Sequence, residues 1–322
     1  MKLNDQRIRD LLRGRRVLVV GDVMLDKYIS GPSDRMSPEA SVPVIANPKT
    51  YEMPGGAANV ATNLIELGCS VDLMGTTGDD ENGKKLLHLC EKLGIQSHFI
   101  VHPRSTTTVK CRIIANERQI VRLDYEVIQP LPPEGEKEFK QDFDRIVESG
   151  DIEILILQDY NKGIFSKAII HHVISKAKTH GIFIAVDPKV HNFFEYREVN
   201  LFKPNLAELN NAFSKEIEVS EKDLKGAIHN LQGQINFQTC MVTLSERGII
   251  TCRDSECVWS PAMDIEVVDV SGAGDTVISV SSLVLFNGGN LQDAADLSNL
   301  AAAEVCKRPG VVPVQISNIL KK

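Results

Sequence analysis

The sequence predicts an α/β fold: a three-layer, doubly wound, mostly parallel sheet with helices on both faces and a small β-sheet lid. Two observations predict it. Short apolar runs recur with helical stretches between them, the pattern of a parallel sheet covered on both faces. Each clear run is then followed by polar residues: Val17 to Val20 by Gly21 and Asp22, Ile152 to Leu157 by Gln158 and Asp159, Ile182 to Val186 by Asp187, Pro188 and Lys189, and Met241 to Leu244 by Ser245 and Glu246. In a parallel sheet such strand ends lie along one edge, where ligands of open α/β folds bind. One polar cleft is expected there.

Two segments break the alternation and read as antiparallel β structure. One is Ser41 to Ala46 with its flanks; the other is Thr106 to Asn116 followed by Gln119 to Tyr125, a hairpin around Asn116, Glu117 and Arg118. They are expected to form the lid, from about 27–52 and 98–126, inserted in a single domain spanning 1–322. Period-two alternation puts Lys110 and Arg112 on one face of the first hairpin strand and Val109, Cys111 and Ile113 on the other. The proline-rich stretch from Pro130 to Gly135 reads as a local linker, because the alternation of strands and helices resumes directly after it.

With 43% hydrophobic and 25% charged residues in 322, the chain can bury one large core. Its formal charge of -7 argues against a general nucleic-acid or anionic-membrane surface, which needs a basic face. Seven cysteines, an odd number without a Cys-x-x-Cys pair or a zinc-ligand spacing, are expected to be reduced thiols of a cytoplasmic protein. The start at Met1, Lys2 and Leu3 turns charged and helical instead of opening a signal peptide, and no apolar run approaches membrane-spanning length.

Two motifs carry chemistry. Asp269, Val270, Ser271, Gly272, Ala273, Gly274, Asp275 and Thr276 lie between a β-like run, Ile265 to Val268, and an apolar helix, Thr276 to Phe286. Glycines at such a turn let the backbone approach a ligand, and the helix start offers unpaired N–H groups with partial positive charge. That is an anion hole with a carboxylate beside it. Asp is also a preferred helix cap, so this motif alone does not choose between cap and base. The second motif, Pro54 to Asn59, opens a helix with apolar residues at Val60, Ala61, Leu64 and Ile65; its paired glycines Gly55 and Gly56 and the Asn59 amide suit a polyhydroxylated ligand. A simple helix-entry turn is the alternative.

These two motifs, in this order, resemble the signatures of the PfkB carbohydrate kinases, and the likeness runs over nearly the whole chain: Gly21 to Asp26, Asn205 to Glu208 and Thr243 to Gly248 take part. Within that family the chain resembles the D-glycero-β-D-manno-heptose 7-phosphate kinases, on Gly21 to Tyr28, Met36 to Val44, Arg122 to Asp124, Asp159 to Gly163 and Asp187 to Lys189. Gln158, Asn161 and Ser271 depart mildly from that pattern.

The resemblance implies a ribokinase-like fold and an ATP-dependent kinase with Asp275 as base and the amides of Gly272, Ala273 and Gly274 as anion hole. Asp22, Asp26, Gly55, Gly56 and Asn59 would hold sugar hydroxyls, with Lys110, Arg112 and Arg122 on a substrate phosphate. Asn205, Leu206, Ala207, Glu208, Ser245, Glu246, Gly248 and Asn299 would border ATP. Magnesium would sit near Asn205 and Glu208, and potassium beside Asp269. A homodimer through the lid is expected from the apolar face of Val109, Cys111 and Ile113. The family's adenylyltransferase partner activity, often fused, is expected on a separate protein.

A dinucleotide site or a P-loop would need glycine patterns that the sequence lacks. A kinase for another sugar, or a non-catalytic sugar- or nucleotide-sensing module on the same fold, remains an alternative that the fold itself does not exclude.

Overall fold

In a computed structural model describing residues 4–320, the apolar runs become the centre of a nine-stranded sheet. Its order is β15 (Glu256–Ser260), β14 (Ile249–Arg253), β13 (Thr239–Thr243), β12 (Leu201–Phe202), β11 (Phe183–Asp187), β10 (Ile154–Gln158), β1 (Arg16–Gly21), β6 (Ser70–Gly78) and β7 (Gln96–His102). All pairs are parallel except the β13–β14–β15 edge. Met1 to Leu3, part of the N-terminal reading, lie outside the described residues.

Alternation along the strands divides the core in two. Val17, Val19, Ile154, Ile156 and Ala185 face helices α1 (Asp5–Leu11), α2 (Ala57–Glu66), α3 (Glu81–Lys92), α8 (Ala273–Phe286) and α9 (Leu291–Cys306). Leu18, Val20, Leu155, Leu157, Ile184 and Val186 face α4 (Pro133–Glu148), α5 (Lys167–Thr179), α6 (Leu206–Phe213) and α7 (Glu221–Ile235). The short α10 (Ile316–Ile319) packs on α9. From β1 the chain winds outward to β6 and β7, then returns to β10 on the other side of β1 and winds the opposite way. The reversal lies between β1 and β10, the position where open α/β sheets leave a crevice at the carboxyl ends.

Over that crevice lies a four-stranded sheet in the order β5 (Lys49–Gly56), β2 (Val23–Gly31), β8 (Val109–Ala115) and β9 (Arg118–Tyr125). Its boundaries correct the expected lid. Residues 98–102 belong to β7, where hydrogen bonds to β6 claim them for the main sheet. The segment around Ser41 to Ala46 supplies only β4 (Pro43–Val44), paired with β3 (Arg35–Met36) as a separate ribbon. The lid instead begins at Val23, directly after β1, and runs back into α2 at Gly56, so both its roots touch the site.

Two further expectations fail. Ile265 to Val268 forms no strand: Val267 and Val268 are each 56% exposed, and Val268 and Asp269 bond through their amides only to the Cys306 carbonyl. Cys252 and Cys257, expected to be reduced, form a disulfide, because the β14–β15 hairpin sets them directly opposite each other at a Cα separation of 4.1 Å. The five remaining cysteines are buried thiols.

Candidate active site

The glycine turn before α8 is shaped as its sequence requires. Gly272 caps the helix at φ 80°, ψ 0°, a left-handed conformation that a side chain resists. Asp275 is then the third residue of the helix, inside the first turn, and is only 4% exposed. Burial pushes its carboxyl up to about 6, against hydrogen bonds from Tyr160 and Asn59 that favour the charged form. A carboxylate poised near neutrality in a cleft suits a general base. Of the amides expected to form an anion hole, Ala273 N–H turns back to the Val270 carbonyl at 3.2 Å.

Three donors converge on Asp275. Asn59, from the first turn of α2, reaches Oδ2 at 2.7 Å; Tyr160 hydroxyl and Gln158 Nε2 reach Oδ1 at 2.6 and 3.1 Å. Gln158 also donates to Asp187 (3.0 Å), which in turn pairs with buried Lys203 at 3.0 Å. A Cβ placed on Gly274 would stand 3.8 Å from the Lys203 ammonium. Lys203 therefore stands beside the Gly272 to Gly274 turn. Lys189, which pairs with Glu208, lies nearby over the Tyr160 ring.

Asp22, expected at the sugar, holds a loop of the site together. Its buried carboxylate accepts from the backbone amides of Tyr160, Lys162 and Ile164 at 2.8, 3.0 and 3.4 Å, which fixes the loop after β10. Burial and then the neighbouring Asp159 raise Asp22 to about 7. Asp26 and Arg112, expected at the sugar and its phosphate, bind each other. They form a buried ion pair at 2.5 Å, with Arg112 over the Tyr28 ring, so Arg112 is tied to a carboxylate. Burial raises Asp26 even so. Arg122 grips Asp124 through two hydrogen bonds at 2.8 and 2.9 Å. Of the three expected phosphate ligands, Lys110 alone makes no ion pair among the described residues; its ammonium lies 5.4 Å from the Tyr160 ring centroid, and burial holds its pKa below the usual lysine range.

On the far side, Asn205 and Glu208 form a capping box at the start of α6, with Leu206 and Ala207 as its first helical residues. Glu208 gives one oxygen to the Asn205 amide (2.8 Å) and the other to Lys189. Burial and Asp187 raise it above the usual carboxylate range. Each oxygen keeps a further lone pair, which fits contact with a nucleotide-bound magnesium through water; among the described residues no cluster of three metal-ligating side chains exists. Asp269 accepts from Ser271 and Gly310 amides, both at 2.9 Å. Burial opposes its charge, but these amides outweigh burial and hold it below the ordinary range, so it stays anionic. Ser245 and Glu246 form a short turn that ends at Gly248, and Asn299 donates to Ser260 and Pro261 at the end of β15.

Sequence reasoning assigned no role to Tyr160, Asp187, Lys189, Lys203 or Tyr28. The last accepts from the Val311 amide at 2.9 Å and so ties the lid to the loop beside Asp269. Gln158 and Asn161, noted in the sequence as departures, each carry a buried side-chain oxygen with no donor among the described residues. Both oxygens need a hydrogen-bond donor, which a polyol would supply.

A model of the pfkB family of carbohydrate kinases matches residues 15–317. The chain belongs to this family. The bifunctional protein HldE of Helicobacter pylori (strain P12) is 38% identical over 306 residues, which is 95% of this chain and 66% of that protein. The chain thus spans a little under two thirds of that relative's length. Among solved structures, Escherichia coli phosphofructokinase-2 in complex with potassium superposes with a TM-score of 0.78 at 18% identity, covering 96% of this chain and 97% of that one. Arabidopsis thaliana ribokinase complexed with ribose and ATP gives 0.72 at 17% identity, over 96% and 98%. The fold is thus ribokinase-like, with a large mixed sheet and a small separate one. Among the described residues no helix is long and apolar enough to cross a membrane.

Proposed function

We propose that the chain transfers the γ-phosphate of ATP to the O1 hydroxyl of D-glycero-β-D-manno-heptose 7-phosphate, giving the 1,7-bisphosphate used for ADP-heptose and lipopolysaccharide precursors. The observation that carries the catalytic part is a buried, ionisable Asp275 in the first turn of α8, held by Asn59, Tyr160 and Gln158. The choice of sugar rests on the likeness to HldE. Asp275 takes the hydroxyl proton; the Gly272 to Gly274 turn and Lys203 meet the charge of the transferred group. Magnesium, bound with the nucleotide, supplies charge neutralisation between phosphates, and Asn205 and Glu208 would hold its water shell. Asp269, kept anionic, is the group that would hold potassium. The nucleotide lies along Ser245 to Gly248 and the turn after Phe286, in a cytoplasmic enzyme.

An acceptor that is already phosphorylated brings a second anion, remote from the reacting hydroxyl. Lys110 is the cation for it, since Arg112 and Arg122 are held by Asp26 and Asp124. Lys110→Ala is expected to raise the acceptor KM about tenfold or more while sparing that of ATP, the signature of a lost charge-assisted contact. Steady-state kinetics on heptose 7-phosphate, sedoheptulose 7-phosphate and unphosphorylated sugars test both points. Equal use of an unphosphorylated sugar sinks the substrate assignment; an unchanged acceptor KM in the variant sinks the role of Lys110.

The lid also has an uncovered apolar face. Val109 and Cys111 are buried within the subunit, but Val121, Leu123 and Tyr125, opposite the row of Val109, Cys111 and Ile113, are 45, 41 and 58% exposed on an edge strand. An edge of this kind invites pairing, and a homodimer through β9 is expected. Light scattering at micromolar concentration should give twice the chain mass; a monomer rules the dimer out.

A further inference from the structure

Tyr160 is delivered to the base by a loop with little freedom. Asp22 holds three of its amides, and Asp159 accepts from the Tyr196 hydroxyl and the Asn161 amide, both at 2.7 Å. The Tyr160 ring lies near two ammonium groups, Lys110 at 5.4 Å and Lys189 at 5.6 Å from its centroid. Donors then divide unevenly over the Asp275 carboxylate. Oδ1 takes Tyr160 and Gln158, which fills its two lone-pair directions; Oδ2 takes Asn59 alone and keeps one. A Cβ on Gly272 would meet Asn59 Nδ2 at 2.8 Å, so the less occupied oxygen is the one held by the amide beside the anion hole.

We propose that Tyr160 is a positioning residue for phosphoryl transfer: with Gln158 it saturates Oδ1 of Asp275, so that the acceptor hydroxyl delivers its proton to Oδ2, beside Asn59 and the Gly272 turn. The acceptor O–H bond breaks as its oxygen bonds the γ-phosphorus. The bond from that phosphorus to the bridging oxygen breaks with its electron pair leaving on ADP, and the proton ends on Oδ2. This inference rests on the kinase reading above. Burial, then the charges of Asp275 and Asp187, holds the Tyr160 phenol well above its usual range, so it remains a donor. The groups facing the pair are the Asn59 and Gln158 amides, the Asp187 and Asp26 carboxyl groups, and the Lys203, Lys110 and Lys189 amines.

Tyr160→Phe keeps the ring and removes only the O–H. The expected result is a kcat lower by about tenfold or more with the ATP KM within about twofold, and an acid limb of the kcat/KM profile moved up by about one pH unit, since the lost donor favoured the ionised base. Native kcat with an unmoved limb overturns the proposal. A lower kcat with an unmoved limb overturns it too, because loss of packing alone does that. Should the native enzyme prefer a sugar other than the heptose phosphate, the substrate reading fails, and the same comparison on the preferred sugar still decides Tyr160. Carboxyl ¹³C titration, with the Asp275 signal assigned by its loss in Asp275→Asn, tests the shift without any acceptor: an upward move in Tyr160→Phe is expected, and an unchanged titration refutes it.

Discussion

Replacing Asp275 by Asn is expected to lower kcat by about 10²- to 10⁴-fold, the usual range for loss of a general base, with the ATP KM within a few-fold of native. The side chain is buried on the first turn of α8 and an amide of the same shape leaves no cavity; Tyr160 and Gln158 can still donate to its oxygen, while its NH2 faces Asn59, whose own amide must turn over to present an oxygen to it. The melting temperature should therefore stay within a few degrees. The pH dependence separates this base from a mere helix cap. With the carboxyl raised to about 6, the native kcat/KM should fall as pH drops through that value, because protonated Asp275 cannot accept the acceptor's proton. The stability consequence runs the other way. Between the ordinary carboxylate range and about 6 the native state binds more protons than the unfolded chain, so this group's contribution to stability declines as pH rises through that window. In Asp275→Asn both effects should vanish. Near-native turnover, or an acid limb that persists in the variant, would remove Asp275 from the mechanism.

What the sequence made legible was local. The helix start at Gly272, the carboxylate three residues on, and the polar residues after each apolar run lie in short stretches whose conformation neighbouring residues dictate, and the structure places them along one sheet edge. What it concealed was pairing across long separations. Period-two alternation put Lys110 and Arg112 on one face, yet whether each is free depends on β2, whose parallel register sets Asp26 beside Lys110 and Tyr28 beside Arg112. That register brings Arg112 to Asp26 and leaves Lys110 to Tyr160. Asp22 is similar: a carboxylate after the first strand reads as a ligand group, but its partners are amides well over a hundred residues later. Tyr160 stood inside a recognised segment without any role, because only the folded loop aims its hydroxyl at Asp275. Ile265 to Val268 had strand composition without a neighbouring strand to pair with, so solvent and the end of α9 hold it instead.

The paired glycines at the lid root should respond to alanine in opposite ways. Gly56 has φ 59° and ψ -131°, a region open essentially to glycine alone, and a Cβ there would stand 2.4 Å from the Asp22 carbonyl oxygen. That carbonyl accepts from the Ala57 amide at 3.0 Å, so it is fixed where lid, first strand and α2 meet. Backbone strain and a clash with fixed backbone together should cost roughly 2–6 kcal/mol, a large part of the 5–15 kcal/mol that holds a typical domain. Urea denaturation of Gly56→Ala should show a correspondingly lower midpoint, and survivors at low temperature should be poorly active, because α2 carries Asn59 to Asp275. Gly55 has no such backbone constraint. Its Cβ would instead meet the Asp26 carboxylate at 2.1 Å, a side chain that can yield only by loosening its pair with Arg112. Gly55→Ala should therefore disturb the lid face over the acceptor more than the fold: a raised acceptor KM, with a denaturation midpoint nearer native than that of Gly56→Ala. If Gly56→Ala lies within about 1 kcal/mol of native, the strain at the lid root is not what the geometry implies.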